Sequence, residues 1–379
     1  MVRMYFYLIL AASVSALATD MIVPALPVLQ KTFNTDYSTI QLTISGFLVI
    51  YACSQLLSGF AGEKLGKLRV LTASFILFLA GSVICFMAES LHMLLAGRAL
   101  QAVGAGAGPV LSKAIAKDTF SPLTLKRALS DISSASAVVP LIAPLVGGVI
   151  LGHLRWNDIF LVMVIFSVLT IMLSPRSLAV PHNETIPETP GFVTPAFIQG
   201  TLLVSLMLSS LFCYISLSPA IFMQVFGLGT LNYSFLFSAS VLFFIAGNQF
   251  SKFERLVNPY VLFLINALSV IPFIAGSQSL LLCIAGAMIF NFTLGAYYPT
   301  ANFIALQIKG NKTGIATSVT GFIQTVSAGA ISFLAVKLTD IGLGFDRTLG
   351  VSALFLAVLS LIVVNTIKVT QWKTGKKGR

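Results

Sequence analysis

Residues 279–307 read SLLLCIAGAMIFNFTLGAYYPTANFIALQ, without a single Asp, Glu, Lys or Arg. A helix rises about 1.5 Å per residue and the hydrocarbon core of a bilayer is about 30 Å thick, so this stretch is long enough to cross it. The charge-free run extends from Leu256 to Ile308, and another extends from Thr189 to Ser251. The chain is therefore predicted to be a membrane protein with several spanning helices.

The composition supports the same class. Of the 379 residues, 57% are hydrophobic and only 9% are charged, which is typical of integral membrane proteins surrounded by lipid. The net charge of +11 arises in short loops and a C-terminal tail, so no nucleic-acid partner is expected. All four cysteines lie in apolar runs without a CxxC or Cys/His cluster, so neither a disulfide framework nor a metal site is expected.

Apolar runs predict an all-α membrane protein with twelve transmembrane helices in two bundles of six. The predicted spans are residues 4–26, 38–61, 70–88, 92–113, 126–151, 158–174, 194–221, 230–250, 258–276, 279–307, 314–336 and 348–367. Residues 1–174 then form the N-terminal six-helix bundle and residues 175–193 a cytoplasmic linker. Residues 194–379 form the C-terminal bundle with a basic cytoplasmic tail.

Lys and Arg residues predict how the chain crosses the membrane, because cytoplasmic loops are enriched in both. With both termini inside, the cytoplasmic segments hold 18 of the 23 Lys and Arg residues and the outer segments hold four. The N-terminal residues resemble a cleavable secretory signal. The apolar run continues through Asp20 to Pro24, however, so this segment is predicted to remain as the first span.

The two halves also resemble each other. Gly59 with Lys64 resembles Gly247 with Lys252, and Gly106 with Pro109 resembles Gly295 with Pro299. Repeated six-helix halves are typical of secondary transporters, whose substrate sites lie near the bilayer midplane between the repeats.

Asp20 and Arg98 are the two charges predicted to lie at membrane depth. Asp20 lies roughly 24 Å along the outward-running first helix, and Arg98 lies roughly 9 Å from the outer face. Both therefore fall in the outer third of a hydrocarbon core about 30 Å thick, so the two could pair. Intramembrane charges usually serve proton relay, ion coupling or ligand binding. If Asp20 alternately faces Arg98 and water, it would gain and lose a proton as the conformation changes. A static buried ion pair that locks two helices remains the alternative.

Two further groups of residues indicate a protein that changes its conformation. Charges near the cytoplasmic ends of helices can form ion pairs that hold this side closed and break when it opens. The residues predicted to form this set, called here the latch, are Glu63, Lys64, Gly66, Lys67, Arg69, Asp118 and Asp131. Prolines bend a helix and small residues allow close packing; the predicted hinge in the fifth span comprises Pro140, Pro144, Gly147 and Gly148. An ordinary charged loop and a packing helix are the plainer alternatives.

Four stretches resemble the major facilitator superfamily, and within it the twelve-span drug/proton antiporters of the bicyclomycin- and chloramphenicol-resistance type. They are Asp20–Pro27, Gln41–Arg69, Arg98–Gly104 and Pro140–Gly148 followed by Trp156 and Phe160. The resemblance implies proton- and substrate-linked roles for Asp20 and Arg98, a latch at Glu63–Arg69, and an antiporter hinge at Pro144, Gly147 and Gly148.

The sequence departs from the pattern of these antiporters in two places. The latch has Glu63 where Asp is usual, and Lys64 and Lys67 where Arg is usual, and Lys cannot form the bidentate fork of Arg. Some relatives carry a second acid where this chain has Ala12. Aromatic and polar side chains are candidates for lining a substrate cavity, although packing is the alternative for each: Tyr51, Gln55, Tyr214, Phe235, Asn291, Tyr297, Tyr298 and Gln324.

Together these features predict a monomeric exporter of small amphipathic molecules in a bacterial inner membrane. It would work by alternating access and exchange its substrate for protons, using the proton gradient and no cofactor. Alternatives of the same fold are an exporter dedicated to one metabolite, such as a siderophore or an amino acid, and an importer or facilitator. A passive channel or a membrane-embedded enzyme is a different class, and the sequence has neither GxSxG nor HExxH.

Overall fold

The computed structural model describes residues 2–120, 122–175, 194–251, 258–305 and 313–366. Within these ranges the secondary structure is helical, and each of the twelve predicted spans coincides with one helix or with two helices separated by a short break. Most of the predicted linker and the basic tail lie outside the described residues.

The first six helices are α1 (Val2–Asp20, continued by Val23–Ala25 and Leu26–Phe33), α2 (Tyr37–Leu65), α3 (Lys67–Phe86), α4 (Leu91–Ala105 and Ala107–Thr119), α5 (Pro122–His153) and α6 (Asp158–Leu173). The break in α1 falls where Pro24 and Pro27 lack the N–H groups that a continuous helix needs. The predicted first span, 4–26, was expected to be one helix. It is broken after Asp20, and its second part extends to Phe33.

The other six helices are α7 (Pro195–Pro219, with a π-helical turn Ala220–Val225), α8 (Thr230–Phe250), α9 (Pro259–Ser269 and Ile271–Ile274), α10 (Leu280–Ala305), α11 (Thr313–Lys337, with Leu338–Ile341) and α12 (Phe345–Thr366). Thr194 begins α7 by accepting a hydrogen bond from the Phe197 N–H at 3.1 Å, the usual role of an N-cap threonine. α9 breaks just before Pro272, which cannot donate a backbone hydrogen bond.

Eight of the described helical stretches are long and apolar enough to cross a membrane, judged by length and composition. Val138–His153, Asp158–Leu173 and Tyr260–Ile274 are shorter apolar stretches. α4 is divided at Gly106 and carries the buried Arg98. The protein is a multi-pass membrane protein of twelve helical segments within the described ranges.

The chain forms two compact units. The first contains the residues up to Thr35, the chain from Leu42 through α6, and Gly229–Phe235; the second contains Asp36–Gln41, α7 through Leu228, and the chain from Leu236 onward. The start of α2 therefore belongs to the second unit, and the start of α8 belongs to the first.

Helix packing repeats from one unit to the other. In the first unit α1 packs against α4, α5 and α6, while α3 packs against α4 and α6. In the second unit α7 packs against α10, α11 and α12, while α9 packs against α10 and α12. The order of contacts is therefore the same in both.

Of the two glycine pairs noted in the sequence, Gly106 and Gly295 lie at equivalent helix crossings. Gly59 and Gly247 do not, because a Cβ at Gly59 would have open space while one at Gly247 would overlap the Phe292 carbonyl oxygen. An added Cβ at Gly106 of α4 would overlap Ser54 of α2, and one at Gly295 of α10 would overlap the Phe244 carbonyl oxygen of α8. Each glycine lets two backbones approach where a side chain would hold them apart.

Candidate functional site around Arg98

Arg98 lies in the first part of α4 with only 1% of its surface exposed. Its Nε donates to the Thr43 carbonyl oxygen at 3.0 Å, and Nη1 donates to the Ala18 carbonyl oxygen at 3.1 Å. Nη1 also donates to Oε1 of Gln101 at 2.8 Å. Nη2 is buried and has no hydrogen-bond partner among the described residues. The guanidinium is therefore bound mainly by main-chain oxygens.

The break in α1 explains one of these contacts. The last carbonyl groups of a helix have no partner within the helix. Ala18 lies in the last turn before α1 ends at Asp20, and Arg98 supplies a donor to its oxygen. A cation at a helix C-terminus is also favoured by the helix dipole. Arg98 thus serves as a cap for the broken helix.

Gln101 extends the network to two more helices. Its Nε2 donates to Ser82 Oγ of α3 at 2.8 Å and points to Met163 Sδ of α6 at 3.4 Å. Its Oε1 accepts from Arg98, so both ends of the buried amide are used. Arg98 and Gln101 of α4 together contact α1, α2, α3 and α6, and the sequence analysis had not selected Gln101 as a site residue.

Asp20 is 7% exposed at the end of the first part of α1. Its Oδ1 accepts a hydrogen bond from Thr19 Oγ1 at 3.3 Å. Within the described residues no ion pair joins Asp20 to Arg98, although their depths in the sequence made a pair plausible. At this end of α1 the guanidinium instead donates to the Ala18 carbonyl oxygen.

An aromatic ring completes the surroundings of Arg98. Its guanidinium carbon lies 4.2 Å from the centre of the Phe47 ring, and Phe47 is 1% exposed. The Phe47 and Tyr51 rings are nearly parallel, with centres 6.0 Å apart. Gln55 Nε2 donates to Tyr51 Oη at 2.7 Å. Residues 47, 51 and 55 share one face of α2 by their spacing of four, a signal that could have identified Phe47 in the sequence.

A charged cluster lies where α3 begins. Lys67 Nζ lies 2.8 Å from Asp118 Oδ2 at the end of α4 and 3.3 Å from Glu63 Oε1 of α2. Lys64 and Arg69 are exposed and belong to no ion pair within the described residues. Gly66 begins α3 with φ of 94°, a conformation that glycine adopts readily.

Asp131 lies apart from this cluster. It accepts a hydrogen bond from the Tyr5 hydroxyl group of α1. No ion pair links it to Lys67 or Arg69 within the described residues. The side chains of Lys126 and Arg127, two basic residues of the same helix, are outside the described set.

The predicted hinge residues all lie within the single helix α5, with Pro140 and Pro144 inside it. An added Cβ at Gly147 would overlap the Met21 carbonyl oxygen, just after the break in α1. One at Gly148 would overlap the Ser234 side chain. The two glycines therefore permit close approach on two adjacent faces of α5.

The candidate cavity residues from α7 onward differ in exposure. Tyr214 and Tyr297 are each 1% exposed; Tyr214 Oη lies 2.7 Å from Ser240 Oγ, and the Tyr297 ring centre lies 4.6 Å from that of Phe263.

The remaining four candidates include both buried and exposed side chains. Asn291 Nδ2 donates to the Ala287 carbonyl oxygen at 2.9 Å, and the Tyr298 ring packs against Phe244. Phe235 is 59% exposed. Oε1 of Gln324 is buried without a hydrogen-bond partner among the described residues.

Comparison with known proteins agrees with this architecture. The sequence pattern of the Major Facilitator Superfamily matches residues 8–333. This is most of the chain, so the chain belongs to the Major Facilitator Superfamily. It is accordingly a secondary transporter of small molecules.

Two relatives align along most of their length. The chain is 26% identical over 350 residues to an uncharacterized MFS-type transporter, YdgK, of Bacillus subtilis (strain 168), covering 86% of this chain and 87% of the relative. It is 24% identical over 377 residues to multidrug resistance protein D of Escherichia coli (strain K12), covering 96% and 94%.

Solved structures share the fold. A bacterial homolog of the human lysosomal transporter Spinster superposes with a TM-score of 0.77 at 15% identity, covering 97% of both chains. A D-xylose–proton symporter superposes with a TM-score of 0.76 at 14% identity, covering 98% of this chain and 99% of the other.

Proposed function

We propose that this protein is a drug/proton antiporter that exports small amphipathic molecules by alternating access. The observation that carries the proposal is a buried carboxylate, Asp20, at the same helix break as a buried guanidinium, Arg98, with the two held by different partners. Relatives named multidrug resistance proteins favour drugs as the substrates.

Asp20 is the proposed proton carrier. It is buried, and its hydrogen bond comes from a neutral hydroxyl group. Burying a charged carboxylate without a cation partner is costly, and a bound proton removes that cost. A conformation in which Asp20 meets water or a cation would favour its charged form. Proton uptake and release can thereby follow the conformation of the protein.

Arg98 is the proposed counter-charge. It is always protonated, and its Nη2 has no hydrogen-bond partner among the described residues. That group is available to a carboxylate that approaches from the broken end of α1. Asp20 would pair with Arg98 when deprotonated and separate from it when protonated. The absence of an Asp20–Arg98 ion pair among the described residues supports the assignment of this conformation to the protonated state.

Other parts of the first unit support the conformational side of the proposal. Lys67 bridges Glu63 and Asp118 across three helices, the arrangement expected of a latch that opens when those helices separate. Pro140, Pro144, Gly147 and Gly148 give α5 the irregularity expected of a hinge. We place the protein in a bacterial inner membrane, as a monomer with both termini in the cytoplasm, and assign it to the bicyclomycin- and chloramphenicol-resistance type.

The test is substrate-driven proton movement in inverted membrane vesicles, with a fluorescent pH probe and a panel of antibiotics and cationic dyes. Wild type should move protons when a compound is added, and Asp20→Asn should not. Glu89→Gln is the matched control because it removes an exposed acid outside the helices.

Three results would change the proposal. Equal proton movement in wild type and Asp20→Asn would exclude Asp20 as the carrier. A response to one metabolite alone would indicate a dedicated exporter. Uptake of compound in the direction of proton flow would indicate an importer.

A further inference from the structure

Phe47 lies between the buried cation and two residues of the predicted substrate cavity. The guanidinium carbon of Arg98 lies 4.2 Å from the centre of the Phe47 ring. The Tyr51 ring stacks on the Phe47 ring with an interplanar angle of 11°. Gln55 holds the Tyr51 hydroxyl group by a hydrogen bond. Arg98, Phe47, Tyr51 and Gln55 form a continuous set of contacts, called here the aromatic column.

The Phe47 ring has a specific electrostatic part in this column. The face of an aromatic ring is negative and attracts a cation, most strongly away from water. Arg98 is fully buried, and its Nη2 has no hydrogen-bond partner among the described residues. The ring is therefore a further contact that stabilises the positive charge of this guanidinium.

Phe47 also differs from the other partners of Arg98 in what sets its position. The Ala18 and Thr43 oxygens belong to the main chain, and Gln101 is bound at both ends of its amide. The Phe47 side chain instead packs on Tyr51. A ligand that moved the Tyr51 ring would change the packing of Phe47, and with it the environment of Arg98.

We propose that Phe47 is a positioning residue that links ligand binding at Tyr51 and Gln55 to the guanidinium of Arg98. This inference rests on the proposed antiport. When a ligand displaces Tyr51, Phe47 moves off the guanidinium, and Arg98 then attracts the protonated Asp20 carboxyl group. Pairing with Arg98 favours the carboxylate form of Asp20, so the carboxyl proton leaves to water. Ligands with a flat aromatic surface or a cationic group fit this mechanism best, because both stack on Tyr51.

The experiment measures protons released per ligand bound by purified protein in weakly buffered detergent solution, with ethidium as the probe. Phe47→Leu keeps an apolar side chain but removes the ring, while Phe47→Trp keeps a ring. Phe273→Leu is the control, because it removes an equally buried phenylalanine from the second unit.

Phe47→Leu should bind ethidium much as wild type does, but release about tenfold fewer protons per ligand. Phe47→Trp and Phe273→Leu should release nearly as many protons as wild type. Normal release by Phe47→Leu would overturn the proposal, and so would equal losses in the leucine and tryptophan variants.

A second series keeps the test independent of folding. Phenylalanines carrying one, two or three fluorine atoms at position 47 weaken the negative ring face stepwise while keeping its shape. Proton release should fall along the series, and a flat series would refute an electrostatic role. If wild type binds ethidium and releases no proton, the proposed antiport itself fails. Release by wild type that is lost in Asp20→Asn but kept in every Phe47 variant removes only this inference.

Discussion

The guanidinium of Arg98 is surrounded by two main-chain oxygens, one amide and one aromatic ring, with no carboxylate within ion-pair distance among the described residues. Hydrogen bonds to a buried charge contribute more than those between neutral groups. Gln101 is the one side chain in this group that donates and accepts at once. It therefore fixes the direction in which Arg98 points.

Gln101→Ala should lower the stability of the protein more than a substitution that removes a hydrogen bond between two uncharged buried groups. It removes a partner of a buried charge, which typically costs about 1–3 kcal/mol. Thr201→Val is the control, because it removes a buried hydrogen bond between two neutral groups, the Thr201 and Thr320 hydroxyl groups of the second unit. Thermal unfolding midpoints of the purified variants compare the two, and equal midpoints would contradict the assigned role of Gln101.

α1 and α5 show how two irregular helices fit together. α1 breaks after Asp20, and the Met21 carbonyl oxygen faces Gly147 of α5. A main-chain oxygen cannot move aside as a flexible side chain can, so the site accepts only glycine without a shift of the helices. The break and the glycine depend on each other, although they lie over a hundred residues apart in the sequence.

Gly147→Ala should therefore destabilise the protein by about 1–3 kcal/mol and reduce efflux. Gly152→Ala in the same helix has open space around its Cβ and should be neutral or slightly stabilising, because alanine favours a helix. Unfolding midpoints and ethidium efflux from cells report both effects. Similar unfolding midpoints and efflux rates for the two variants would show that the close α1–α5 contact at Gly147 determines neither stability nor efflux.

The whole molecule repeats its helix packing but not its chemistry. Counting from Gly106 and Gly295, the position of Arg98 corresponds to Ala287 in α10, and that of Gln101 corresponds to Phe290. Both counterparts are buried and carry no charge. The repeated fold therefore supplies the framework twice, while the buried charged residues among those described, Asp20 and Arg98, both lie in the first unit.

The distribution of Lys and Arg predicts the orientation of the whole chain. Green fluorescent protein fused after Arg379 should fluoresce, and alkaline phosphatase fused there should be inactive, because 18 of the 23 basic residues then face the cytoplasm. Alkaline phosphatase inserted after Thr35, between α1 and α2, should be active. The opposite pattern at both sites would reverse the predicted topology.

Several features of this protein follow from its sequence alone. Helix number and position are set by the length of each apolar run against the bilayer thickness, which is a local property. The sequence also predicted that Asp20 and Arg98 are buried, because each charge lies inside an apolar run. The pairing of Gly106 with Gly295 likewise appeared as a repeat before its packing role was known.

The partners of these residues were decided only by the tertiary structure. Which group a buried side chain contacts depends on how each helix is rotated about its axis and on where the helix breaks. A small error in predicting either one from the sequence moves the contacts by several ångströms. The break in α1 presents the Ala18 oxygen to Arg98, and α2 brings Phe47 to the guanidinium. Asp20 and Arg98 therefore both lie at the break in α1, but within the described residues they do not form the ion pair that their membrane depths, predicted from the sequence, allowed.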